Sequence, residues 1–156
     1  MNLSEFLVEA KINTYASNGE GVESNLDDGS HELIWRNGIW KYRDRYLGFN
    51  PFLGEEVVWY QDKITWGMNY YGKVTSNEVN INEVYGFLKK ALGQVVTERP
   101  FRGPAEFREG DWYYVNKNSG SIDDFSGLEE ICLGNQKIYE LDYRGGLLLG
   151  NEGIRI

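Results

Sequence analysis

Along most of the chain, apolar and polar residues alternate in short runs that end in glycine, asparagine, aspartate or proline. That period of two is the mark of strands with one buried face. Leu33-Ile34-Trp35 and Ile39-Trp40-Lys41-Tyr42 flank Asn37-Gly38, a pair that favours a tight hairpin turn. The second of these strands runs to Leu47, and Gly48-Phe49-Asn50-Pro51 breaks it. Val57 to Tyr60 and Ile64 to Tyr71 form a second hairpin across Gln61-Asp62-Lys63. Further strands are predicted over Ala105 to Arg108, Trp112 to Asn116, Glu129 to Leu133 and Lys137 to Tyr143. Two segments carry helical spacing instead. Ser4 to Lys11 places Phe6, Leu7 and Ala10 on one face, with Ser4 as the N-cap. From Asn80, an N-cap with Glu83 three residues on, Val84, Phe87, Leu88, Ala91 and Leu92 form an apolar stripe that stops at Gly93 or runs on to Val95. Ala16 to Ser30 reads as a mobile loop, and Pro100 and Pro104 bracket a connection.

The strands invite a comparison of the chain with itself. At a shift of 73 residues Phe52 falls on Phe125, Gly54 on Gly127, Glu56 on Glu129, Trp66 on Tyr139 and Tyr70 on Tyr143. The helices correspond at a slightly larger shift. The expected fold is α+β: one domain over residues 1–156, made of two tandem helix-plus-four-strand halves, 3–75 and 80–147. A pseudo-twofold relates them, and they form a mainly antiparallel sheet with both helices on one face. Each half alone buries too little, whereas two copies share a core.

The runs Gly48 to Val58, Trp66 to Gly72, Arg102-Gly103-Pro104, Phe125 to Ile131 and Tyr139 to Gly146 resemble a prokaryotic family of domains of unknown function. Its members occur alone or as the C-terminal part of Xre-type helix-turn-helix regulators. The resemblance extends from Phe6 to Leu147 and implies no established chemistry. If the chain acts in regulation, DNA contact is expected to come from another protein, because the sequence given begins at the domain itself.

Composition narrows the functions. The formal net charge of −8 disfavours phosphate backbones, and Lys89-Lys90 and Lys41 to Arg45 are the only basic clusters, both short. Direct nucleic-acid binding is not expected. Cys132 is the only cysteine, so no intrachain disulfide forms; the chain reads as cytosolic and the thiol as buried and inert. No apolar run approaches a membrane span, and no membrane partner is expected. His31 is the only histidine and reads as a solvated surface residue, which excludes multi-histidine metal sites. Asp27-Asp28-Gly29 lacks the spacing of a calcium loop. Gly19-Glu20-Gly21 lacks the third glycine and helix of a nucleotide loop. No metal, cofactor or catalytic residue is assigned.

Candidate binding residues remain: Trp40, Tyr42, Asp44, Glu56, Trp66, Tyr70, Arg102, Glu129 and Tyr139. Glu56 and Glu129 share a strand face with Val58 and Ile131, so both point toward the core side. They can bind a cation or share a proton; the simpler reading has each accepting backbone N–H bonds in its Phe-x-Gly-x-Glu segment. Trp40, Tyr42, Asp44 and Tyr46 alternate on one face, opposite Lys41, Arg43 and Arg45. Asp44 among aromatics suits an amine, with Trp40 and Trp66 as cation–π walls; the plainer reading pairs it with a nearby arginine. Its counterpart in the second half is Lys117. Trp59, Trp66, Met68 and Tyr70 suit a pocket wall or the core. Arg102 clamps an anion, or sets its Gly-Pro turn through carbonyls. These features favour a ligand-sensing or effector-binding module for a small molecule or peptide. A protein-interaction or oligomerisation domain, such as a homodimer, comes next, and an enzyme using paired carboxylates last.

Overall fold

The computed structural model describes residues 1–16 and 23–148. Its elements are α1 (Leu3–Ile12), β1 (Glu23–Asn25), β2 (His31–Asn37), β3 (Trp40–Gly48), β4 (Phe52–Tyr60) and β5 (Lys63–Val74), followed by α2 (Ile81–Leu92), β6 (Glu106–Glu109), β7 (Trp112–Ser121), β8 (Asp124–Leu133) and β9 (Gln136–Leu147). All nine strands form one antiparallel sheet in the order β1-β2-β3-β4-β5-β9-β8-β7-β6. The two longest strands, β5 and β9, meet at its centre, pairing Trp66 with Leu147 through to Val74 with Tyr139.

The period-two pattern sorts the residues between faces. Tyr42 and Asp44 of β3, Glu56 and Val58 of β4, and Trp66, Met68 and Tyr70 of β5 are buried in the interior. Phe6, Leu7 and Ala10 of α1, and Val84, Phe87, Leu88, Ala91 and Leu92 of α2, pack into the same core. The opposite face carries Lys41 and Arg43, whose cationic ends lie 4.5 and 5.4 Å from the Trp59 ring. Trp59 therefore belongs to the outer face and not beside Trp66.

The expected tandem halves do not form. The fold is mostly strand, with two short helices, rather than a balanced α+β pair. β1 is an added strand, so five strands precede α2 and four follow it. Phe52 and Phe125, matched by the self-comparison, sit in unlike surroundings. Phe52 is half-buried and meets Tyr70 and Tyr85 edge-on at 6.0 and 5.7 Å, whereas Phe125 is buried and stacks on Trp66 and Phe101 at 5.6 and 4.2 Å. Alternation plus turn residues is common to any antiparallel meander, and it produces similarity at a fixed shift without two helix-plus-four-strand units.

Smaller differences have local causes. α1 is capped by Asn2 and not Ser4: Asn2 Oδ1 accepts from Glu5 N at 3.0 Å, and the Glu5 carboxylate accepts from Asn2 N at 2.8 Å. Asn80 caps α2 by accepting from Asn82 N at 2.9 Å, while Glu83 contributes its backbone N–H to Asn80 O. α2 stops at Leu92 with Gly93 as its C-cap. β1 is fully exposed, so no hydrophobic alternation announced it. Of the predicted mobile loop, residues 17–22, including the Gly19-Glu20-Gly21 reading, lie outside the described residues. Asp28 accepts from Ser30 N and Ser30 Oγ and pairs with Arg45. Cys132 is half-buried rather than buried, being one residue out of phase with Ile131.

Candidate functional site

The inner face of the sheet holds an unusual concentration of charge. Lys11, Asp44, Glu56, Arg102 and Glu129 are each 5% exposed or less. Burying an ion without a partner is strongly unfavourable, so the pairing of these groups decides what the site can do.

Glu129, on β8, is saturated. Its carboxylate accepts from Arg102 Nε and a terminal guanidinium nitrogen at 3.2 and 3.0 Å, from Tyr114 Oη at 2.7 Å and from Tyr139 Oη at 2.9 Å. Burial works against the Arg102 charge, but the adjacent Glu129 carboxylate together with Tyr15 and Tyr139 outweighs it and holds the guanidinium protonated. Arg102 therefore clamps a carboxylate of its own chain, in place of backbone carbonyls. Tyr114 Oη in turn accepts from Gly103 N at 3.1 Å, which fixes the Gly-Pro connection. Among the described residues neither glutamate accepts the backbone N–H bonds expected of it: Glu56, on β4, accepts from Lys11 Nζ of α1. Burial pulls the Lys11 pKa down, and the Glu56 charge opposes that fall. The Lys11 ammonium lies 5.5, 5.9 and 6.0 Å from the rings of Tyr15, Tyr42 and Trp66. The aromatic surroundings expected to hold a ligand's amine thus hold one supplied by the protein.

Asp44 stands directly across from Glu56 in the β3–β4 pairing. Tyr70 Oη donates to Asp44 Oδ1 at 2.6 Å. That bond needs Gly54: a Cβ there would lie 2.3 Å from Tyr70 Oη, so only glycine lets the phenol cross the strand. Among the described residues no arginine pairs with Asp44, contrary to the plainer sequence reading, because Arg43 and Arg45 lie on the outer face with Glu55 and Asp28. Desolvation, followed by the neighbouring Glu56 charge, raises the Asp44 pKa from 3.8 to about 7. The same two influences raise Tyr42 and Tyr15, while burial and then Asp44 raise Tyr70, so all three phenols remain donors. Opposite Glu129 the corresponding place is taken by Asn116 rather than Lys117. Asn116 accepts from Tyr143 Oη at 2.7 Å.

Above Asp44 lies a cavity of about 450 Å³ between the sheet, the residues after α1, and α2. Asp44, Tyr70 and Arg102 contribute polar groups to its lining; Phe49, Phe52 and Tyr85 contribute aromatic surface; Lys89 and Glu23 also border it. Tyr85 is held by donating to Phe49 O at 2.6 Å. Tyr15 also lines the cavity, and its hydroxyl is out of solvent contact with no hydrogen-bond partner among the described residues. Tyr42 Oη and Glu56 Oε1 are likewise without partners.

Of the nine candidate residues, the fold brings Asp44, Tyr70 and Arg102 to the cavity wall. Tyr42, Glu56, Glu129 and Tyr139 are buried in the charged network. Trp40 stands apart, stacked on Phe6 at 5.3 Å and tilted against Tyr60 at 4.5 Å. Trp66 is core, donating to Ile122 O at 3.1 Å. The unforeseen contributors are Lys11, Tyr15, Tyr85 and Lys89. Lys11 had a signal: it lies four residues after Leu7 on the apolar face of α1.

Among the described residues no cluster of three potential metal ligands occurs, and no helix is long and apolar enough to cross a membrane. A family model described as a domain of unknown function (DUF5680) matches residues 44–148, a shorter span than the resemblance from Phe6 suggested. None of the curated proteins and none of the solved structures matches the chain.

Proposed function

We propose a function for this chain, which belongs to the DUF5680 family of domains of unknown function, from its cavity: the domain binds a small organic molecule there, as a ligand-sensing or effector-binding module. The observation that carries the reading is the combination of aromatic surface with a polar floor of Asp44, Tyr70 and Arg102 in one open cavity. A volume of about 450 Å³ lies within the usual range of small-molecule sites, about 300–1,000 Å³. A regulatory setting belongs to the same proposal, with a helix-turn-helix partner in a prokaryotic cytoplasm, and rests on the sequence resemblance alone.

Gly86 makes the test. It lines the cavity from the exposed side of α2, and a Cβ there would meet nothing within 4 Å. Gly86→Trp fills the mouth while removing a helix-weakening glycine. A thermal-shift screen of a metabolite panel is expected to find compounds that raise the Tm of the wild type by several degrees and leave Gly86→Trp unmoved. Ligand at a hundred times its Kd contributes about 2.7 kcal/mol. A panel that shifts neither protein, or both alike, removes the reading.

One observation favours a second, interaction-based reading. On the outer face Leu47, Leu53 and Tyr71 are direct cross-strand neighbours, and each is 42–49% exposed. A patch that joins two copies gives a dimer mass in light scattering, and Leu53→Lys returns it to the monomer. A monomeric wild type at high micromolar concentration ends the homodimer version.

A further inference from the structure

The buried charges do not balance. Among the described residues, the buried ionisable acids are three carboxylates, Asp44, Glu56 and Glu129, and the buried cations are two, Lys11 and Arg102. Each cation is committed: Lys11 to Glu56, and Arg102 to Glu129 through two hydrogen bonds. Asp44 is left with one neutral donor, Tyr70 Oη on Oδ1, and with no cationic partner. Its second oxygen, Oδ2, has no hydrogen bond among the described residues. Asp44 is 3% exposed and lies in the cavity lining, so its carboxylate can be reached from the cavity.

From this juxtaposition we infer that the ligand is an organic cation, an amine or quaternary ammonium on a compact apolar body, whose charge is the missing partner of Asp44. The inference rests on the cavity-binding reading and specifies its ligand. The positive group sits against the Asp44 carboxylate itself, because the rings of Tyr70 and Tyr15 already face the Arg102 guanidinium at 5.3 and 5.6 Å. The apolar body meets Phe49, Phe52 and Tyr85. An anionic ligand would face Asp44 and Glu56 with both nearby cations already taken. A neutral ligand would leave Asp44 either to take up a proton or to keep a buried, unpaired charge. The two remaining charges at the border, Lys89 on α2 and Glu23 on β1, are of opposite sign and favour neither class.

Groups of several elements bear on the Asp44 carboxylate. They are Glu56 of β4, Tyr70 of β5, Arg102 between α2 and β6, and Lys11 of α1. Tyr42 and Tyr46 on its own strand, Tyr15 after α1, the more distant Glu129, Lys89 and Glu23, and His31 of β2, which lies 3.0 Å from Glu23 and stacks on Tyr46, complete the charged and titratable surroundings. The phenols stay neutral and the two cations stay paired through the neutral range. Asp44 is therefore the group whose ionisation governs the affinity for a cation there.

Three probes of matched shape separate the classes by titration calorimetry at pH 8: 2-phenylethylammonium, 2-phenylethanol and 3-phenylpropanoate. The ammonium is expected to bind at least tenfold tighter than the other two. Its affinity should fall by tenfold or more between pH 8 and pH 5.5 as Asp44 takes up a proton, whereas any 2-phenylethanol binding stays level. Asp44→Asn should remove the ammonium preference, and Gly86→Trp should abolish binding. If 2-phenylethanol or 3-phenylpropanoate binds as tightly as the ammonium and Gly86→Trp blocks it, the cation assignment falls while the cavity reading stands. If ammonium binding survives Asp44→Asn or Gly86→Trp, the cation is held elsewhere and the assignment falls. If none of the three binds at millimolar concentration, the assignment falls and the unmodified metabolite screen alone decides the cavity reading.

Discussion

Arg102→Met is expected to destabilise the protein by roughly 3–5 kcal/mol, the usual result of removing one member of a buried ion pair. Against a typical total of about 5–15 kcal/mol, that is enough to leave the domain marginal. The reason lies in what remains. Glu129 is 0% exposed, and without Arg102 its charge keeps only the two phenol donors, Tyr114 and Tyr139. Urea denaturation reads the loss directly. The double variant Arg102→Met with Glu129→Gln should recover part of it, because a neutral amide confines no charge and its oxygen can still accept from Tyr114 and Tyr139. A surface arginine whose task was to catch an anion would behave differently, with the single variant changing stability by about 0.5 kcal/mol or less. The urea midpoint thus separates a structural clamp from an anion receptor.

Part of this arrangement was legible in the sequence. Alternation placed Tyr42 and Asp44 on one face of β3 and put Glu56 and Glu129 on the core side, and both placements follow from a side-chain period of two. The Asn37-Gly38 turn and the stripe on α2 were readable for the same reason: local geometry dictates them. Partnerships across long separations were not. Lys11 and Glu56 are 45 residues apart in sequence, and Arg102 and Glu129 are 27 apart. No local pattern says which cation meets which acid. The central β5–β9 pairing is likewise tertiary, and it joins nine strands into one sheet where repetition along the chain suggested separable halves. Asp44 illustrates the limit best. Its position among aromatics was visible, but its lack of a cation became visible only once every other buried charge had been paired.

That lack should show in the pH dependence of stability. A carboxyl held near pKa 7 in the folded state and 3.8 unfolded favours folding while it is protonated. Its contribution is complete below about pH 4, declines as the pH rises, and is gone above about pH 7. Asp44→Asn removes this titration, leaving an uncharged side chain that still accepts from Tyr70. The variant should therefore gain on the wild type by roughly 2–3 kcal/mol between pH 5 and pH 8. The difference between the two proteins is the quantity to plot, from urea midpoints at each pH. Exposed acids such as Asp28 and Glu140, whose pKa values hydrogen bonds from Ser30 and Lys137 depress, titrate the other way but equally in both. A level difference would mean that Asp44 ionises as an ordinary carboxylate, with a counter-charge of its own. A rising difference that disappears when 2-phenylethylammonium saturates the wild type would tie the instability of the free domain to the charge its cavity lacks. On that reasoning, ligand binding strengthens the fold most at the pH where the free protein is weakest.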